Sequence, residues 1–192
     1  LATLLADHLG DLPRARACLE AALQARPDDR GTLVALTELY ARMSDGAAAA
    51  EAARRLLRAS QTIEDRVGAI IQLSRIELHQ GRRPAAIEAL LNAVVLEGPD
   101  GLAAREFKGL VETTGEWESF EQAMMRHLQQ VAGDDEKTCT AFLELARVQG
   151  GPLRRQDKAL ATLEFGLNEV KQNLPLRLDL GERLRAEGRH DQ

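Results

Sequence analysis

One stretch of this chain keeps coming back. Gly10 to Asp29 reads Gly, Leu12-Pro13, Ala15, Leu19, Ala22-Leu23, then Pro27. A copy runs from Gly81 through Ala86, Leu90, Ala93 and Val94 to Pro99-Asp100. Weaker copies pass through Ser44, Ala49, Ala53 and Leu56, through Gly115, Phe120, Met124 and Leu128, and through Ala159, Leu163 and Leu167. One register position falls on Ala15, Ala49, Ala86, Phe120 and Ala159, at steps of 34, 37, 34 and 39 residues. Self-similarity at such a period signals stacked supersecondary units, each burying its apolar face against the next. The longer steps are read as longer loops, which cost little.

Upstream of each copy lies a second apolar pattern. Leu36, Leu39 and Tyr40 precede Ser44, and Leu73, Ser74 and Ile76 precede Gly81. Phe107, Leu110 and Val111 precede Gly115, while Leu145, Ala146 and Val148 precede Gly150-Gly151-Pro152. Spacing of this kind places each set on one face of a helix, and a glycine or small residue then ends it. Each unit is therefore expected to be two helices joined by a tight turn. Composition agrees: aromatics are 3% of a chain that is 44% hydrophobic, an Ala- and Leu-rich mixture that suits close helix packing rather than a β-sandwich or barrel.

The order of large apolar residue, small residue, glycine, alanine and repeat-end proline resembles the tetratricopeptide repeat (TPR) family, for example in Leu36-Thr37-Glu38-Leu39-Tyr40 with Ala49 and in Leu180-Gly181-Glu182-Arg183-Leu184 with Gly188. The resemblance covers essentially the whole chain. It implies an all-α fold, an α-α superhelix or solenoid of antiparallel helix pairs with about five to six repeats. The repeats are placed at 1–29, 30–66, 67–100, 101–135, 136–173 and, in part, 174–192. Two departures stand out: Gln61 and Ala132 replace the repeat-end proline, and Phe120 stands where a small residue belongs. Gly109 on the preceding helix is expected to make room for that ring. Neither end reads as a polar capping helix, so the chain is expected to be an excerpt of a longer array.

The sequence holds no recognised catalytic or ligand motif. His8, His79, His127 and His190 show no zinc-ligand spacing, Cys18 and Cys139 form no metal-type pair, and no dinucleotide or Walker loop occurs. Asp28-Asp29 and Asp134-Asp135 are read as helix N-caps. Cys18, Cys139, Met124 and Met125 are read as core residues, and Trp117 as packing between helices. We therefore expect no enzyme, no metal and no cofactor. The net charge of −5 and the scarcity of aromatics argue against nucleic acid. No apolar run approaches the roughly 18–20 residues of a membrane span. Of the 25 basic residues 21 are Arg, which with the abundant Ala suggests a bacterial source. Composition leans to the cytoplasm, with the periplasm as the alternative.

The resemblance implies that the first helices of successive repeats line a concave groove holding a protein or peptide partner. Registering the copies gives the candidate lining. The second repeat offers Val34, Glu38 and Arg42; the third Ile71, Arg75, Leu78 and His79; the fourth Leu102, Arg105 and Glu112. The fifth offers Leu143 and Arg147, and the sixth Leu178, Glu182 and Arg185. Arg75, Arg105 and Arg147 come from consecutive first helices, and as a ladder they would grip carboxylates on a segment with apolar anchors. The plainer reading is that they pair with Glu38, Glu77, Glu106 or Glu144. The competing function is a structural or self-assembly solenoid within a larger multidomain or envelope-assembly protein.

Overall fold

The computed structural model describes residues 11–171, 173–186 and 188. His8, His190 and the expected first helix of the first repeat lie outside them. Among the described residues there are ten helices and no strand: α1 (Leu12–Ala25), α2 (Arg30–Arg42), α3 (Gly46–Ala59), α4 (Ile63–His79), α5 (Arg83–Glu97), α6 (Leu102–Thr114), α7 (Trp117–Gln130), α8 (Asp135–Gly150), α9 (Gln156–Glu169) and α10 (Leu174–Ala186). Short turns join them, so consecutive helices pack as antiparallel pairs. This is the all-α arrangement of helix pairs that the repeat pattern called for. The first helices of the pairs are α2, α4, α6, α8 and α10.

The described residues form two compact units divided between Ala93 and Val94, a point that falls within α5. In the first unit α2 packs on α1 and α3, and α3 on α4. Its core holds Leu33, Leu36 and Leu56, continued by Ala49, Ala50, Ala53 and Ile76. In the second, α8 packs on α7, α9 and α10, around Phe142, Ala146, Ala159, Leu163 and Leu176.

The registered position is fully buried on every second helix. Ala15, Ala49, Ala86, Phe120 and Ala159 are all 0% exposed. A methyl group there lets two helix backbones approach closely. At Phe120 the solution differs, and Gly109 has no part in it: Gly109 is exposed, and a Cβ added there would meet nothing within 4 Å. The ring instead stacks tilted against Phe107, centroids 5.5 Å apart, and meets Trp117 edge-on at 6.1 Å. The Lys108 ammonium lies 5.5 Å from its centroid. Seven residues further along each second helix come Ala22, Leu56, Ala93, His127 and Gly166. His127 is buried, and its Nδ1 lies 2.9 Å from the Val95 carbonyl oxygen, tying α7 to the end of α5.

Helix starts follow local chemistry. Asp11, Asp29, Asp45, Thr62 and Asp134 each accept an N–H from the first turn of α1, α2, α3, α4 and α8. The expected caps at Asp29 and Asp134 are therefore made. Thr32 lowers the Asp29 carboxyl pKa chiefly through its hydroxyl bond, and Lys137 lowers that of Asp134 chiefly through its ammonium. At α6 the N-cap is Gly101, which has no side chain, and Glu97 reaches across the turn to accept the Ala103 N–H at 2.8 Å. Met124 is buried as expected, whereas Met125 is 42% exposed and belongs to the surface. Cys139 is buried; Cys18 is only half-buried.

Candidate first-helix binding surface

In the first unit, α2 presents Glu38 and Arg42 as exposed side chains and Val34 as half-buried. On α4, Arg75 and His79 are exposed and Leu78 is half-buried. Ile71 departs from its expected place: at 4% exposure it is a core residue and offers a partner almost no surface. His79 lines a cavity of about 370 Å³ with Ser44, Ile76 and Gln80.

In the second unit, α6 presents Leu102 (45% exposed), Arg105 and Glu112. Glu182 and Arg185 are exposed on α10, and Leu178 stands 59% exposed. Leu143 is half-buried and Arg147 exposed, one helical turn apart on α8. The space between α8 and α10 is open. One cavity of about 720 Å³ is walled by Cys139, Leu143, Leu174 and Pro175. A second, of about 310 Å³, adjoins it and is lined by Glu144, Arg147, Asp179 and Arg183. The two share Thr140 and Leu143, so a continuous groove follows α8.

The charges along this groove are mostly engaged. Arg147 donates from Nε and Nη2 to both oxygens of Glu144, at 2.9 and 2.8 Å. Those bonds raise its already high pKa. Lys108 of α6 reaches the same carboxylate at 2.7 Å. Arg183 donates to Asp179 at 3.0 Å. The fork of Arg147 is thus already filled, as the plainer reading held, and the three arginines of the imagined ladder are not equivalent. Arg105 has no ionic partner among the described residues, and the same holds for the Lys171 ammonium and Arg177 beside the larger cavity.

Asp179, Arg183, Lys171 and Arg177 were not singled out from the sequence. The Asp179–Arg183 pair had a signal in its i, i+4 spacing. Lys171 lies in the α9–α10 connection, which follows no repeat pattern. Among the described residues no group of three or more His, Cys, Asp or Glu side chains is placed to hold a metal ion. No helix there is long and apolar enough to cross a membrane.

No family profile matches the sequence, and no curated protein does. Solved structures to which the chain is similar include YrrB, a TPR protein with an unusual peptide-binding site: 19% identity, TM-score 0.48, covering 94% of this chain and 88% of that one. MamA protein is similar at 16% identity and TM-score 0.47, covering 97% and 90%. BtubC from P. vanneervenii is similar at 14% and 0.44, covering 94% and 83%.

Proposed function

We propose that this chain is a protein-interaction scaffold that binds a segment of another protein along its first helices. The observation that carries this reading is the open groove along α8, with Leu143 at its middle and Arg147 on its lip. An apolar floor with a few fixed polar groups is what a bound chain segment needs. The proposed contact residues are those registered from the sequence, less the buried Ile71, taken within each unit by itself. Protein rather than nucleic acid is the partner the net charge of −5 favours. The test is affinity capture from lysate of the source organism, with the original chain and an Arg75→Glu, Arg105→Glu, Arg147→Glu variant of matched circular dichroism. Capture of a partner by the first and its loss from the second is the expected result. Equal recovery by both forms would remove these three arginines from the interaction.

A second reading, stacking of copies, draws on Leu174 and Leu178, which stand 66% and 59% exposed on α10. Sedimentation over a wide concentration range decides it, since stacking requires mass to rise with concentration.

A further inference from the structure

The larger cavity of the second unit has features that narrow the partner. Its volume, about 720 Å³, lies within the roughly 300–1,000 Å³ of pockets that enclose ligands. Its wall is apolar along Cys139, Leu143, Leu174 and Pro175. Leu174 faces this space while 66% exposed, so an apolar side chain seated there would remove surface that water now covers.

The two rims carry opposite charge. On the α8 side stand Asp135 and Glu136, and on the other Lys171 and Arg177. The fold itself accommodates the acids. Both lie in the first turn of α8, where the helix dipole favours a negative charge, and Asp135 accepts the Lys171 backbone N–H at 3.2 Å. The cations have no such support. Arg177 sits near the start of α10, where the dipole disfavours a positive charge, and no carboxylate pairs with it among the described residues. The Lys171 ammonium is likewise without an ionic partner among those residues.

We propose that this cavity anchors a partner segment carrying an apolar side chain next to a carboxylate, the apolar group against Leu143 and Leu174 and the carboxylate on Arg177 and Lys171. The inference rests on the scaffold reading and assigns its anchor point. It also moves the carboxylate-binding arginine from Arg147, whose fork Glu144 fills, to Arg177. The neighbouring 310 Å³ space takes the continuing chain past Leu143, which favours a segment over a free small anion. The opposite rim charges orient it, with its acidic end toward α10 and any basic residue toward Asp135 and Glu136.

The probe is a displayed library of random short peptides selected on the whole chain. Recovered peptides are resynthesised with a fluorophore and titrated by anisotropy. Peptides pairing a Leu, Ile or Phe with a nearby Asp or Glu are expected. Arg177→Glu and Leu143→Ala should each weaken them about tenfold or more, a size typical of one charge-assisted bond or one anchor side chain. Replacing the peptide acid by Lys should restore affinity for Arg177→Glu. Arg177→Gln, checked by thermal melt, guards against a folding defect, and Arg58→Glu on α3 should change nothing. Peptides that ignore Arg177→Glu yet are lost with Arg105→Glu would overturn the anchor and leave the scaffold reading standing. A library that yields no binder overturns both.

Discussion

Glu121 on α7 is nearly buried and receives three donors: Gln149 Nε2 at 2.9 Å, Lys158 Nζ at 2.6 Å and Arg155 Nη1 at 3.0 Å. Burial works to raise its pKa, but the bonds from Lys158 and Gln149 and the two positive charges outweigh it, so the net direction is down. A carboxylate depressed in the folded state contributes stability above its unfolded value, and that contribution disappears as pH falls through the folded value. Urea midpoints should therefore hold near neutrality and drop in acid below the ordinary glutamate range, and Glu121→Gln should flatten part of that drop. The caps Asp29 and Asp134, also depressed, act in the same direction and keep some slope. At neutral pH Glu121→Ala should cost about 1–2 kcal/mol, held down by the solvent access of Lys158 and Arg155. Phe120→Ala, measured the same way, should cost about 3–5 kcal/mol, because the facing Phe107 cannot fill the space. The sequence made the Phe120 position legible and its neighbours illegible. A ring in a small-residue register announces an exception, but Phe107 rather than Gly109 meets it only through the folded path of α6. Glu121 and Lys158 are 37 residues apart, beyond any helical periodicity.

Helix ends carry the next level of information. Glycine at the end of a first helix predicts left-handed backbone, and Gly81 and Gly115 adopt φ of 71° and 77°. Ser44 and Arg154 do the same work at 59° and 54° without being glycine. In the Gly150-Gly151-Pro152 turn it is Arg154, not either glycine, that takes the positive angle. Pattern reading located these turns but not the residue that bends, because tertiary packing chooses where the reversal falls. Left-handed backbone costs an L-residue about 1–2 kcal/mol. Ser44→Gly and Arg154→Gly should therefore each stabilise the fold by about 0.5–1 kcal/mol, allowing for glycine's greater freedom when unfolded. An unchanged or lower melting temperature in both would contradict this account of the turns. Thr62→Ala should act oppositely, removing the cap of α4 at a cost of about 1 kcal/mol. At α6 the cap comes from Glu97, and a Cβ on Gly101 would overlap its carboxyl group. Gly101→Ala should thus expel that carboxylate, so that adding Glu97→Ala to it costs little more.

At the scale of the whole chain, repetition made the helix pairs readable, while the surface proposed for binding was legible only in part. Leu143 and Arg147 fall on the groove because first-helix register decides which side they face. Arg177 escaped notice because its proposed role comes from a charge left unanswered among the described residues, which only the three-dimensional inventory of partners reveals. A net charge of −5 without a basic stripe predicts no salt-sensitive binding of single-stranded RNA in an anisotropy titration. The paired rings of Phe107 and Phe120 carry a last consequence. A period near 34 residues suggests cassettes that might be cut out and traded, one repeat for another. At this joint they cannot be. Grafting α3 into the place of α7 would set the methyl of Ala49 opposite Phe107 and leave a hole. Grafting α7 elsewhere would drive a ring into a space shaped for a methyl. The fourth repeat can move only together with both of its helices, so the smallest transferable part of this chain is a hairpin and never a single helix.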